Sequence, residues 1–184
     1  MSAALWREQR AARILRAGGI VVHPTEAVFG LAASACVSHA CARVRALKGR
    51  GRAKPFLVVV ADAAQLSGLV DLDVPLRDEI FASWPGPHTW VLPASRRAPR
   101  WLQNAEGGIA VRVTAHPQVR VLCELAGPVI STSANASGHP PARSALAARR
   151  YFGTRVDHYL VGRLGGAKRP STLRDGLTGR VLRA

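Results

Sequence analysis

The sequence predicts an α/β fold: a single domain, residues 1–184, with a twisted mixed sheet flanked by helices. Short apolar runs bounded by turn residues alternate along the chain with segments of helical spacing, the pattern of strands and helices in turn. A length of 184 residues suits one domain, and 48% hydrophobic residues can fill its core. No internal repeat, low-complexity stretch or linker interrupts the pattern.

In chain order, residues 2–17 read as a helix. Ser2 can cap it, Leu5, Ala12 and Leu15 recur at helical spacing, and Gly18-Gly19 ends it. Ile20-Val21-Val22 follows as a buried strand, broken at His23-Pro24-Thr25-Glu26 because Pro24 has no amide hydrogen for a ladder. Apolar character returns at Ala27–Ala32. Ser38–Leu47 reads as a helix that runs into a basic segment. Phe56–Val60 is the clearest strand. Asp62 caps a short helix to Val70, and Leu76–Ala82 is a further helix. Trp84–Thr89 is a turn stiffened by two prolines, leading to the strand Trp90-Val91-Leu92. Ile109–Val113 alternates as a strand, with Ala110 and Arg112 on one face, and Thr114 is placed to cap a helix to about Ala126. Pro128-Val129-Ile130 is a buried strand opening a polar loop, Ser144 caps a helix to Tyr151, and Tyr159–Val161 is a short strand. A Gly- and cation-rich loop, 162–170, leads to the compact polar Ser171–Asp175, and Val181–Arg183 closes the chain.

Composition bounds function. Lys and Arg number 26 against 11 Asp and Glu, a net charge of +15, which favours polyanionic partners such as nucleotides or RNA. Aromatics at 5% do not support a stacking platform for single-stranded RNA. No apolar run is long enough to span a membrane, and the charged start of the chain lacks the apolar centre of a signal peptide. The reading is cytoplasmic, with no membrane partner. Cys36, Cys41 and Cys123 show no CxxC spacing and suit reduced, buried positions; no protein-held metal is expected.

Two stretches carry chemistry. Arg43, Arg45, Lys48, Arg50, Arg52 and Lys54 crowd like charges around Gly49 and Gly51, either as a solvated loop or as a clamp for phosphate or carboxylate. Ser131-Thr132-Ser133-Ala134-Asn135 sets hydroxyls and an amide where a strand leaves the core, either as a turn capping the next helix or as a ligand loop at a strand's carboxyl end. GxxxxGK[ST], GxGxxG, HExxH and GxSxG are all absent. Cations, hydroxyls and an amide without a protein nucleophile suit phosphoryl or nucleotidyl transfer, which relies on positioning and electrostatics.

The ordered set HPTEAVFGL (23–31), KGR (48–50), PGPHT (85–89), AVRV (110–113), STSANASG (131–138), STLRD (171–175) and TGRVLR (178–183) resembles the YrdC family over nearly the whole chain. Without a further C-terminal domain, it is similar to the short bacterial form of threonylcarbamoyl-AMP synthase. The resemblance implies a YrdC/RibB-like fold and an L-threonylcarbamoyladenylate synthase. Such an enzyme joins L-threonine, bicarbonate or CO2, and ATP (with Mg2+), and releases pyrophosphate. Downstream threonylcarbamoyl-transfer proteins then modify the adenosine beside the tRNA anticodon, and the basic surface suits direct tRNA contact.

Residue by residue, the resemblance implies that Lys48 and Arg50 neutralise phosphate charge during catalysis. It gives ATP to Lys48, Arg50, Thr89, Ser131, Ser133, Asn135 and Arg183. It gives threonine to Thr25, Arg112, Thr132, Ser171 and Thr172, although the Thr89, Arg112 and C-terminal contacts can be divided either way. The chain departs from many relatives in having no histidine after the Lys-x-Arg pair, where Lys54 is the available substitute, and in carrying His23 where Tyr is common. Competing expectations are an RNA-binding module without chemistry, and a pocket that takes its acyl group from carbamoyl phosphate.

Overall fold

The computed structural model describes residues 3–51, 54–136, 138–167 and 171–183. The capping role expected of Ser2, the contribution of Arg52 to the basic run, Ser137 of the polar loop and residues 168–170 lie outside the described residues.

Five α-helices flank the sheet among the described residues: α1 (Ala3–Arg16), α2 (Ser38–Lys48), α3 (Arg77–Ala82), α4 (Pro117–Ala126) and α5 (Ala145–Phe152). The strands are β1 (Val21–Pro24), β2 (Phe29–Ser34), β3 (Leu57–Val60), β4 (His88–Pro93), β5 (Gly108–Val113), β6 (Val129–Ser133), β7 (His158–Tyr159), β8 (Thr172–Asp175) and β9 (Val181–Arg183). They form one sheet in the order β7-β1-β2-β6-β3-β5-β4-β8-β9. The β1–β7, β3–β5 and β4–β8 pairs are parallel and the others antiparallel, so the sheet is mixed as expected.

Strand alternation divides the core. One face sends Val22, Leu31, Val58, Val60, Trp90, Val111 and Ile130 into the larger cluster, covered by residues of α2, α3 and α5. The other face sends Val21, Ala32, Val59 and Val129 against Ala11 and Leu15 of α1 and Val119 and Leu122 of α4. Each fully buried leucine or valine contributes about 1.5–3 kcal/mol relative to an exposed one. On this second face the apolar cover ends where the strands turn small and polar. Gly30, Ser131, Ser133, Ala110, Arg112 and Thr89 stand there instead, and the space above them is a cavity.

Several local expectations are corrected. The segment after Asp62 is a single 3-10 turn, Ala63–Leu66, although Asp62 caps it by accepting from the Ala64 amide. His116, not Thr114, caps α4: its side chain accepts from the Val119 amide, with Pro117 in the first turn. Thr114 is engaged elsewhere, donating to Glu26. Pro24 does not break β1 but ends it, opposite Phe29. Its missing donor is tolerated because the β7 pairing reaches only Val21 and Val22. His88 and Thr89 belong to β4, and the polar Thr172–Asp175 is β8, paired in parallel with β4. Both short segments become strands because a neighbouring strand supplies the ladder, which no local pattern announces.

Candidate active site

The cavity has a volume of about 440 Å³. Register gives its floor. Ser131 lies opposite Leu57, and Leu57 opposite Ala110. Two residues along the strands, Thr89 lies opposite Leu173 and Leu173 opposite Arg183. One face of six neighbouring strands thus presents Ser131, Leu57, Ala110, Arg112, Thr89, Leu173 and Arg183 to the same space.

The wall is set by the end of α2. Gly49 adopts a left-handed conformation, φ 58°, which a side chain would strain. Its amide bonds to Ala46 O, and the Arg50 amide bonds to Arg45 O, the pattern of a Schellman ending. This turn separates Lys48 from Arg50. Lys48 is buried and donates to Ser133 O at 2.6 Å, Asn135 Oδ1 at 2.7 Å and Ser133 Oγ at 3.4 Å. It therefore ties α2 to the polar loop from behind rather than lining the cavity. Burial first, then the neighbouring Arg50 charge, pulls its pKa down to about 8. Arg50 lines the cavity, lies over the Phe56 ring and donates to Lys54 O and Pro55 O.

At the other end, Arg112 pairs with Glu26 at 3.2 Å, both side chains nearly excluded from water. Thr114 Oγ1 donates to Glu26 Oε1 at 2.7 Å. Burial alone would raise the Glu26 pKa, but Arg112 and the Thr114 hydroxyl outweigh it and hold the carboxyl below its ordinary value. Arg112 Nε is buried without a hydrogen-bond partner. Thr89 Oγ1 donates to Ser171 Oγ at 2.9 Å, and Arg183 Nη2 donates to Ser171 O at 3.2 Å, so β4, β8 and β9 are joined at the rim.

Of the residues singled out from sequence, Thr25, Arg50, Thr89, Arg112, Ser131, Thr132, Ser133, Ser171 and Arg183 line the cavity. Asn135 stands behind Ser133, accepting its hydroxyl proton at 2.7 Å. Thr172 does not reach the cavity: it pairs with His88, and alternation turns it away from the face that carries Leu173. Thr25 both lines the space and closes its own turn, donating to Val28 O. Lys54, the substitute expected for the missing histidine after the Lys-x-Arg pair, lines the cavity.

Glu26, His23 and the strap 162–167 also stand at the site, although the sequence assigned none of them a role there. Glu26 was legible in part, since an acid in the Pro-Thr-Glu turn of so basic a chain needs a cation. The strap had no signal: Gly165 donates to Thr25 O and Ala167 to Glu26 O, holding the turn from outside. A side chain at Gly165 would come within 3.0 Å of Glu26 Cα.

This fold and site define a class: a mixed α/β sheet whose uncovered face holds cations and hydroxyls around one cavity. The profile of the Sua5/YciO/YrdC family, described as "Telomere recombination", matches residues 13–184. The chain belongs to this family. It is 49% identical to a threonylcarbamoyl-AMP synthase of Halorhodospira halophila, over 97% of this chain and 94% of the relative. It is 45% identical to the Pseudomonas aeruginosa protein of the same name, over 97% of each. Among solved structures, Sua5 of P. abyssi complexed with L-threonine superposes with a TM-score of 0.83 at 35% identity, over 93% of this chain. This chain spans 51% of that larger protein.

Proposed function

We propose that this chain is an L-threonylcarbamoyladenylate synthase, a nucleotidyltransferase acting in tRNA modification. The observation that carries the reading is the convergence of Arg50, Lys54, Arg112 and Arg183 with Thr25, Ser131, Ser133 and Ser171 around one cavity, in a chain matched along its length by relatives of that name. The substrates are L-threonine, bicarbonate or CO2, and ATP. The carbamate oxygen of carboxylated threonine attacks the α-phosphorus, and the bond to pyrophosphate breaks in line. The protein supplies positioning and charge. Arg50 and Arg183 meet the phosphates, Ser133 faces the nucleotide, and Asn135 and Lys48 fix Ser133 from behind. Thr25, Arg112 and Ser171 bound the amino-acid end.

Glu26 is the carboxylate among the described lining residues, and it is engaged by Arg112. Among the described residues, no group of three or more His, Cys, Asp or Glu gathers to hold a metal. We infer that Mg2+ arrives on the ATP phosphates, where it would neutralise charge. No described helix is long and apolar enough to cross a membrane; the cytoplasmic placement inferred here rests on the tRNA-modification role. The net charge of +15 supports direct contact with tRNA, after which transfer proteins take the product.

The test is product identification. The protein with ATP, Mg2+, bicarbonate and L-threonine is expected to yield an adenylate of carboxylated threonine by mass spectrometry. Folded protein that yields only unchanged ATP and threonine contradicts the reading. For tRNA, affinity that falls steeply with salt is expected, and a salt-insensitive affinity removes that partner.

A further inference from the structure

Ser131 on the cavity floor has a buried partner that sets the direction of its hydroxyl proton. His23 is fully buried behind it, with Nδ1 2.9 Å from Pro24 O and Nε2 3.3 Å from Ser131 Oγ. A carbonyl oxygen only accepts, so Nδ1 carries the ring proton. Burial outweighs the Pro24 carbonyl and the Glu26 charge, which pull the other way, and lowers the His23 pKa to about 4, so the ring is neutral near pH 7. Nε2 is then bare, and the contact has one polarity: Ser131 donates and His23 accepts. Gly30 leaves room for this pair. A Cβ there would come within 2.9 Å of His23 Nε2, 3.0 Å of Ser131 Oγ and 3.3 Å of Thr25 Cγ2.

We propose that His23 is a positioning residue that fixes the Ser131 hydroxyl as an acceptor toward the cavity, so that Ser131 takes an N–H of the amino-acid substrate and not a phosphate oxygen of the nucleotide. The inference rests on the proposed function for the two ligands; the proton direction stands on the structure. A hydroxyl has one proton and two lone pairs. With its proton given to His23, Ser131 offers the cavity lone pairs alone. A phosphate oxygen also offers lone pairs, and the two would repel. The nitrogen of threonine, as amine or carbamate, brings a proton. Thr25, beside the same point above Gly30, has likewise given its hydroxyl proton away, to Val28 O at 2.7 Å. The donors that suit phosphate stand elsewhere in the cavity, on Arg50 and Arg183.

The proton direction is read by NMR on protein labelled with 15N-histidine, the His23 signals being assigned by their loss in His23→Gln. A protonated Nδ1 and a bare Nε2 at neutral pH are expected; a proton on Nε2 overturns the proposal. The ligand is read by steady-state kinetics. His23→Phe keeps a ring but removes the acceptor. It is expected to raise KM for L-threonine about tenfold, the scale of one lost hydrogen bond, with KM for ATP within about twofold. Ser131→Ala is expected to do the same, and the double variant to be no worse than either single one. His23→Gln, whose side-chain oxygen can accept the same proton, is expected to recover most of the affinity for threonine. This rescue also separates positioning from mere packing if His23→Phe folds poorly. A rise confined to KM for ATP, additive effects, or unchanged kinetics in Ser131→Ala overturns the proposal. If the wild-type protein shows no dependence on L-threonine, the proposed function fails and the ligand assignment falls with it, while NMR still decides the role of His23.

Discussion

Glu26→Ala removes the partner of a buried guanidinium. Arg112 is 6% exposed, and its Nη2 lies 3.2 Å from Glu26 Oε2. Its Nε already lacks a partner, so the variant leaves a buried cation with less compensation still. Breaking such a pair from one side costs about 3–5 kcal/mol. For a chain of this size that corresponds to a fall in Tm of roughly 6–20 °C. Replacing both residues, as Glu26→Ala with Arg112→Met, removes the charge as well as its partner and is expected to restore much of the lost stability. Calorimetry on wild type, both single variants and the double variant closes the cycle. Only the stability returns: the double variant lacks a cavity cation and stays inactive. A Tm for Glu26→Ala within about 2 °C of wild type would refute the claim that the pair is desolvated and mutually dependent. The sign with pH follows from the same pair. Folding lowers the Glu26 pKa, so its contribution is full above the unfolded carboxylate range and is lost as pH falls through the lower folded value.

Other expectations follow from named contacts. Lys48→Ala frees Ser133 and Asn135 and is expected to lower kcat by about a hundredfold or more in a protein that still folds. The folded Lys48 pKa of about 8 lies below its ordinary 10.5. If its charge is required, activity falls as pH rises past about 8; an alkaline limb that stays in place in Lys48→Arg contradicts that origin. The linked stability term has the opposite slope: the burial penalty on charged Lys48 is present below the folded pKa and diminishes as pH rises from there toward the unfolded one. Gly49→Ala strains the left-handed turn after α2 and is expected to cost about 1 kcal/mol in urea unfolding. An unchanged midpoint removes the need for glycine there. Gly30→Ala pushes on His23 and Ser131 and is expected to reduce turnover far more than Tm; equal losses of both would make Gly30 a packing residue.

The strands of the sheet centre were legible because Val58–Val60 and Ile109–Val113 are apolar or alternating on their own account. From alternation alone, Arg112 shared a face with Ala110, and both line the cavity. The periphery was not legible. Residues Thr172–Asp175 become a strand only because β4 is beside them, and that register turns Thr172 away while Ser171 and Leu173 line the cavity. The cap on α4 went to His116 because Thr114 was drawn to Glu26, a contact across 88 residues of sequence. For the same reason the basic run looked uniform in sequence. The turn at Gly49 sends Arg50 to the cavity and Lys48 behind it, and only the three-dimensional ending of α2 separates the two.

The most direct test of the central claim is pyrophosphate release from ATP with Mg2+ and bicarbonate, comparing L-threonine, L-serine and no amino acid. The account predicts release that requires L-threonine and is largely lost in Lys48→Ala and Arg50→Ala. Release that is indifferent to the amino acid, or none from folded protein under any of these conditions, would contradict it.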